Sequence, residues 1–131
     1  MTVAVAHQVS ATSRIALEQA VREAGFRGTD LAVLHVVESI DPDSQEGYRL
    51  GVSDEIEKVV GKDCDISWRL HLATAGADLA GTLLRLVEGI DADLLVIGAR
   101  RRSPVGKALL GSVTQTLILE ADLPVLVVKS P

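Results

Sequence analysis

The sequence predicts an α/β protein in which an open, five-stranded parallel sheet is covered by helices on both faces. Short runs rich in Val, Leu and Ile alternate along the chain with segments whose apolar residues recur at helical spacing. Continuous apolar runs are typical of strands that are buried on both faces, as in a parallel sheet. Because strands and helices alternate, right-handed crossovers place the helices against both sides of that sheet. The predicted strands are 3–6, 31–37, 66–72, 94–97 and 125–128.

Four helices are predicted between these strands. The first, third and fourth carry apolar residues at intervals of three and four, which form one stripe along a helix that needs a sheet to cover it. The stripes consist of Leu17, Ala20, Val21 and Ala24 in the first helix, Leu79, Leu83, Leu86, Val87 and Ile90 in the third, and Val113, Leu117 and Ala121 in the fourth. The second helix, about 48–62, is only partly periodic, and the polar segment 39–47 before it predicts a loop.

Helix ends are marked by the residue types that usually occupy them. Ser10 and Thr12 are both candidates for the N-cap of the first helix, and Gly25 and Gly28 lie where this helix is expected to end. Asp78 is expected in the first turn of the third helix, where a carboxylate is favourable. These signals bound the helices independently of the apolar pattern.

Composition excludes several classes of function. Lys and Arg total 13 and Asp and Glu total 18, which leaves a net charge of −5, whereas a protein that binds duplex DNA carries the opposite sign. Aromatic residues make up 2% of the chain, too few for a surface on which single-stranded bases stack. We therefore expect no nucleic-acid partner. A length of 131 residues predicts one domain that spans 1–131.

Cysteine content and hydropathy predict a cytoplasmic location and no membrane partner. The single cysteine, Cys64, excludes an internal disulfide and a cysteine-based zinc site. The first residues lack the basic and apolar regions of a signal peptide. Every apolar run is far shorter than the ~20 residues that span a bilayer.

A local reversal of charge marks the segment after the fourth strand. Positions 94 to 119 contain no acidic residue, and the basic residues there are Arg100, Arg101, Arg102 and Lys107. The segment lies at the predicted carboxyl end of the strand and leads into a helix start at Gly111-Ser112, whose unpaired N–H groups suit a phosphate. A solvated basic loop ahead of an ordinary helix start is the alternative interpretation.

Two common phosphate-binding motifs are absent from the sequence. A P-loop needs Gly-x4-Gly-Lys-Ser/Thr. Counted back from Gly106 and Lys107, Arg101 occupies the first glycine position, and Ala108 occupies the Ser/Thr position. No Gly-x-Gly-x-x-Gly follows the first strand either. The sequence therefore supports neither a P-loop NTPase nor a dinucleotide-binding dehydrogenase.

Three segments in the second half of the chain carry a resemblance to a known family. They are Asp-Leu-Leu-Val-Ile-Gly at 93–98, Leu-Gly-Ser-Val-Thr at 110–114 and Leu-Pro-Val-Leu-Val-Val at 123–128. Together they resemble the C-terminal half of a universal stress protein domain, and Leu-His-Val-Val-Glu at 34–38 resembles that family's second strand. The order of elements fits this family over essentially the whole chain. We therefore expect a Rossmann-like sheet with the strand order 3-2-1-4-5.

The nucleotide motif of this family is incomplete in the sequence. Its ATP-binding members carry Gly-x2-Gly-x9-Gly-Ser/Thr after the fourth strand. Gly98, Gly111 and Ser112 match this pattern, but Arg101 occupies the second glycine position, where it either crowds the phosphates or donates to them. Those members usually place an Asp after the first strand. Here the matching position is His7, or Ala6 if the inserted residue is placed differently.

The resemblance implies a set of contacts with ATP or AMP, and it leaves Mg²⁺ open. The backbone around Val36 would meet the adenine, and Ile97 and Gly98 would lie under the ribose. The residues implied around the phosphates are Arg100, Arg101, Gly111, Ser112, Val113 and Thr114. Lys107 is added because of its charge, and His7 because of its position after the first strand.

The other polar residues predict neither a metal site nor an enzyme. His7, His35 and His71 lie at predicted strand positions without a metal-ligand spacing, so we expect histidines that are satisfied in the core or on the sheet face. No residue is a persuasive nucleophile or general base. No catalytic residue is therefore predicted.

The apolar character of the last predicted strand indicates the oligomeric state. An apolar strand at the end of the chain tends to lie at a sheet edge, which invites pairing. The resemblance implies a homodimer through strand 124–128, and the alternative is a strand covered by the chain's own last residues, 129–131.

Three functions remain open after the sequence has been considered. The first is a homodimeric sensor or adaptor that binds an adenine nucleotide or another small phosphorylated ligand. The second is a stress-associated dimeric interaction module that binds no nucleotide. The third is a slow ATP hydrolase, for which no water-activating residue is apparent.

Overall fold

Five parallel strands form one sheet in the order β3-β2-β1-β4-β5, as the sequence predicts. The structure is a computed structural model that describes residues 1–8, 11–61, 65–99 and 111–130. The strands are β1 (Thr2–Ala6), β2 (Asp30–Val37), β3 (Trp68–Thr74), β4 (Leu94–Ala99) and β5 (Val125–Lys129). The helices are α1 (Ala11–Arg27), α2 (Gln45–Val60), α3 (Leu79–Gly89) and α4 (Ser112–Glu120).

The central strand β1 lies between β2 and β4, with Val5 opposite Val33 on one side and Val96 on the other. Successive residues of these strands face opposite sides of the sheet, and both sides are buried. Val3, Val5 and Val33 pack with α1 and α2 in one apolar cluster. Ala4, Leu34 and Ile97 pack with α3 and α4 in the other. This double burial explains why the strands are continuous apolar runs rather than alternating ones.

The start of α2 differs from the prediction of a loop over 39–47 and a helix over 48–62. A short 3₁₀ turn, Pro42–Ser44, begins at Asp41, whose side chain accepts a hydrogen bond from Asp43 N at 3.0 Å. The turn runs directly into α2 at Gln45, so the predicted loop is wrong from Pro42 onward. Burial of Val52, Ile56 and Val60 stabilises the helix in spite of the weak helix propensity of Gly47.

Several predicted boundaries also shift. Thr12 lies inside α1 rather than at its cap, and Ser10 lies outside the described residues. Asp78 is the N-cap of α3 rather than part of its first turn, because its carboxylate accepts from Gly81 N at 3.1 Å. β3 begins at Trp68 rather than 66, since its pairing with β2 starts at Leu31.

The end of α1 and the start of β5 agree more closely with the prediction. Gly28 follows α1 with a φ of 62°, a left-handed conformation that favours glycine. β5 begins after Pro124, whose carbonyl accepts from Leu95 N at 3.0 Å. Among the described helices, none is long and apolar enough to cross a bilayer.

Candidate functional site at the carboxyl edge of the sheet

A cavity of about 290 Å³ opens at the carboxyl ends of β1, β2 and β4. The strand order reverses between β1 and β4, and in open parallel sheets this is where ligands bind. The residues that line the cavity are Ala6, His7, Gln8, Ser13, Leu34, Val36, Leu83, Ile97, Gly98, Gly111, Ser112, Val113, Thr114 and Leu117. No carboxylate is among these described lining residues.

The structure brings most of the residues predicted for ligand binding to this one cavity. Those that line it are His7, Val36, Ile97, Gly98, Gly111, Ser112, Val113 and Thr114. Ala6, the alternative first-strand position, lines it as well. Arg100, Arg101 and Lys107, which were predicted from the family pattern and from charge, lie outside the described residues.

One wall of the cavity is the N-terminus of α4. Gly111 is the N-cap, in an extended conformation, and as a glycine it has no side chain with which to cap the helix. Its carbonyl accepts the hydrogen bond from Gln115 N at 3.0 Å, so the helix begins at Ser112. The first N–H groups of a helix have no partner inside it and carry partial positive charge. The first turn contains no acidic residue, and the wall therefore suits an anion.

Gly98 and Gly111 differ in whether the packing of the protein requires a glycine. A Cβ on Gly98 would lie 2.6 Å from Thr12 O and 2.7 Å from Thr12 Cγ2, so glycine is required there by the packing of α1 on β4. A Cβ on Gly111 would meet no described atom within 4 Å. The sequence placed both glycines in the nucleotide motif of the family. The structure shows that packing against Thr12 requires glycine at position 98, whereas no described contact requires glycine at position 111.

His7, which lines the cavity, contacts a second histidine, His35, which is not among the lining residues. Ala6 pairs with Leu34, and His7 N donates to Leu34 O at 2.8 Å, which extends the β1–β2 pairing beyond the strand. The next position therefore places His7 beside His35. Their Nδ1 atoms are 3.0 Å apart, and His35 Nε2 lies 2.8 Å from the hydroxyl of Tyr48 on α2.

Both histidines are buried, with 5% of His7 and 1% of His35 exposed. Burial lowers the pKa of His7 to about 4, with a further lowering by His35 and an opposing effect of Glu55. Burial also lowers the pKa of His35. The prediction of a satisfied histidine is confirmed for His35, both of whose ring nitrogens have partners. In the described part of the chain, no group of three or more His, Cys, Asp or Glu side chains is arranged to hold a metal ion.

Sequence reasoning missed several residues of the site. Gln8 and Ser13 line the cavity, and Ser13 Oγ accepts a hydrogen bond from Gln8 N at 2.8 Å. Both lie near the carboxyl end of the first strand, where a ligand site is expected. Leu34, Leu83 and Leu117 are apolar and could only be predicted as core residues. Tyr48 had no recognisable signal, because its contact with His35 depends on how α2 packs on the sheet.

Comparison with known proteins agrees with this fold. The model of the universal stress protein family matches residues 1–129. A universal stress protein of Mycolicibacterium smegmatis is 36% identical over 129 residues, which cover 97% of this chain and 96% of that protein.

Solved structures show the same fold. The universal stress protein of Archaeoglobus fulgidus has a TM-score of 0.80 and 26% identity, with 98% of each chain covered. A structure from the same organism in complex with dAMP has a TM-score of 0.75 and 22% identity over 98% of each chain. An Arabidopsis thaliana family protein with AMP bound has a TM-score of 0.71 and 19% identity, covering 100% of this chain and 92% of that one. This chain belongs to the universal stress protein family.

Proposed function

We propose that this protein binds an adenine nucleotide, AMP or ATP, in the cavity at the carboxyl edge of the sheet and acts as a homodimeric sensor or adaptor in the cytoplasm. The observation that carries the proposal is that the described residues implied by the family pattern line one cavity. One wall of this cavity is the start of α4, where the N-cap Gly111 has no side chain. Structural relatives hold dAMP and AMP, which supports an adenine mononucleotide.

The phosphate is proposed to lie against the start of α4. The N–H groups of Ser112, Val113 and Thr114 provide donors there, and the hydroxyls of Ser112 and Thr114 add two more. Gly111 leaves the space beside the helix start open. Arg100, Arg101 and Lys107 would contribute positive charge from the neighbouring segment.

The nucleoside is proposed to lie over the strand ends, with its adenine near the backbone of Val36 and its ribose near Ile97 and Gly98. Mg²⁺ prefers carboxylate ligands, and the described lining residues include none. We therefore expect the mononucleotide to bind without a metal ion held by these residues. A volume of about 290 Å³ lies at the lower end of the range of ligand cavities, ~300–1,000 Å³, which favours AMP as the minimal ligand.

Isothermal titration with AMP, ADP and ATP, each with and without Mg²⁺, tests the proposal. We expect saturable binding of AMP in both conditions. Ser112→Ala should weaken binding because it removes a hydroxyl at the phosphate wall. Thr116→Ala is the matched control, since the Thr116 hydroxyl already donates to Ser112 O in the same helix, at 2.9 Å. Flat titrations for all three nucleotides would show that the protein does not bind them, and the proposed nucleotide binding would be wrong.

The homodimer is proposed to form through β5, which pairs with β4 on one side and is the last strand of the sheet. Unpaired backbone groups on an apolar edge strand favour pairing with another strand. Val127→Lys should therefore give a monomer in sedimentation. Leu119→Lys is the control, because this α4 side chain is also apolar and is 81% exposed but lies outside β5. A Val127→Lys variant that stays dimeric would place the interface elsewhere.

The second candidate is a dimeric interaction module that binds no nucleotide. Two observations favour it. Gly98 is required by Thr12 and so carries no information about a ligand, and the first-strand position holds His7 rather than a carboxylate. The same titrations separate the two candidates, since the module would remain dimeric while giving no binding heat.

A further inference from the structure

The edge strand β3 directs backbone hydrogen-bonding groups away from the sheet. It pairs with β2 over seven residues, and no described strand pairs with its other side. Leu31 N donates to Ser67 O and Ala75 N donates to Val37 O, each at 2.9 Å, so the odd-numbered residues of β3 use their backbone groups on β2. The residues whose N–H and C=O groups face the open edge are Trp68, Leu70, Leu72 and Thr74. The edge therefore offers donors and acceptors to an added strand.

Basic side chains gather along the same edge. Arg69 and His71 lie two positions apart on β3 and therefore project from the same face of the sheet. Their partners on β2, Ala32 and Leu34, belong to the apolar cluster on the α3 side. Arg49 of α2 also lies within electrostatic range of His71. Burial is the main cause of the lowered pKa of His71, and Arg69 and Arg49 lower it further.

The two arginines of this edge have no carboxylate partner in the described part of the chain. Neither Arg49 nor Arg69 takes part in the ion pairs that the described residues form. Arg69 is exposed and Arg49 is half-buried. The net charge of the chain is −5, so the edge is a local excess of positive charge. Carboxylates of another molecule would meet two guanidinium groups there, beside a histidine that can donate a hydrogen bond.

The charge on β3 disfavours pairing with a second copy of the same edge. Two β3 strands related by a two-fold axis run antiparallel and carry Arg69 and His71 on one common face. Each Arg69 would then lie opposite or diagonal to a basic side chain of the other strand, and like charges in such positions are destabilising. The other edge strand, β5, has only apolar side chains at 125–128. The β3 edge thus suits a strand of opposite charge rather than its own copy.

We propose that the open edge of β3 is a docking site for an extended, acidic segment of a partner protein. The segment adds a sixth strand to the sheet through the free backbone groups of β3. Carboxylates at alternate positions of the segment face Arg69 and His71, and Arg49 adds positive charge. A polypeptide fits better than a nucleic acid, because the free C=O groups of the edge need the regularly spaced N–H donors of another backbone. This inference goes beyond nucleotide binding and does not depend on it.

Three seven-residue peptides, matched to the length of β3, test the inference. The first alternates Glu and Thr, which places every carboxylate on one face of a strand. The second alternates Lys and Thr. The third is the Glu–Thr peptide with a methyl group on every backbone nitrogen, which keeps the carboxylates and removes the N–H donors. The fluorescence of Trp68, the only tryptophan in the sequence, reports binding because it lies on β3. Only the Glu–Thr peptide should give a saturable change.

Arg69→Glu tests the contribution of charge. It should weaken binding of the Glu–Thr peptide roughly 3- to 10-fold and should give binding of the Lys–Thr peptide. Arg22→Glu is the matched control, since Arg22 on α1 is also exposed and also lies outside the ion pairs of the described residues. It makes the same change in net charge and should leave both affinities as they are in the wild type.

Amide hydrogen exchange tests the backbone pairing. The N–H groups of Leu70 and Leu72 face the open edge, so they should exchange quickly in the free protein and become protected when the Glu–Thr peptide binds. The N–H groups of Arg69 and His71 face β2 and should be protected in both states. This pattern would show an added strand rather than attraction between charges alone.

Several outcomes would overturn the inference. The first is no binding of the Glu–Thr peptide, or an equal loss in Arg69→Glu and Arg22→Glu. The second is equal binding of the methylated peptide, or unprotected Leu70 and Leu72 amides in the complex. Protection of these amides in the free protein would show that a second copy already covers the edge. Displacement of the peptide by a single-stranded oligonucleotide that binds more tightly would assign the edge to nucleic acid. None of these outcomes changes the result of the nucleotide titrations.

Discussion

The two walls of the cavity are built from different parts of the chain. The α4 wall consists of backbone N–H groups at a helix start, beside a glycine whose missing side chain no described contact requires. In the other wall, the His7 wall, the ring of His7 contacts His35 on β2, and His35 contacts Tyr48 on α2. The first wall is local in sequence, whereas the second depends on strand register and helix packing. This difference explains why the sequence indicated one wall and missed the contacts of the other.

Substitution of Gly98 gives the largest expected effect on stability. Gly98→Ala should reduce the free energy of unfolding by about 1–3 kcal/mol, because the new methyl group would overlap the backbone carbonyl of Thr12. The shift in the midpoint of urea denaturation measures it. A Gly98→Ala protein as stable as the wild type would show that α1 moves away from β4 at little cost.

Acidification should lower the stability of the folded protein through His7. The pKa of His7 is lowered to about 4 from its ordinary value of 6.5, so between these values the unfolded chain binds a proton that the folded protein excludes. Stability is therefore full above about pH 6.5 and declines as the pH falls toward 4. We expect a loss of about 1–2 kcal/mol at pH 5 relative to pH 7, from urea denaturation at each pH.

His7→Gln provides the control for the pH effect. This variant cannot be protonated at position 7, so it should lose less stability between pH 7 and pH 5 than the wild type. His35, whose pKa is also lowered by burial, remains to contribute the rest. Identical losses in both proteins would assign the effect to other groups.

Removal of the Tyr48 hydroxyl should have a smaller effect. Tyr48→Phe leaves His35 Nε2 without its partner at 2.8 Å, in a residue that is 1% exposed. The expected decrease in the free energy of unfolding is about 1 kcal/mol. Thermal and urea denaturation measure it against Ser53→Ala on the same helix. An unchanged stability would mean that water replaces the hydroxyl.

Gly111→Ala should have the smallest effect on stability. Because no described atom lies within 4 Å of the new methyl group, the loss should stay below about 1 kcal/mol and reflect only the poorer N-cap. Affinity for AMP should fall, since the methyl group would occupy the phosphate wall. Isothermal titration of the variant with AMP measures the affinity separately from the stability. Unchanged affinity would show that the phosphate does not approach Gly111.

The sequence predicted the strands and their order because both depend on apolar runs and on a family resemblance that covers the whole chain. It placed the start of α2 wrongly, since Asp41 and Pro42 begin a turn that continues into the helix. His7 and His35 are separated by 28 positions and meet only because of the β1–β2 register. No pattern in a single sequence defines that register, so their contact could not be predicted.

The contact between Thr12 and Gly98 bears on how relatives of this protein should be compared. A chain that has lost every ligand would still need glycine at position 98, because the carbonyl of Thr12 occupies the space of a side chain. Selection for folding alone would preserve it. No described contact makes such a demand at position 111, so substitutions there among related sequences would separate members that bind nucleotides from members that only share the scaffold.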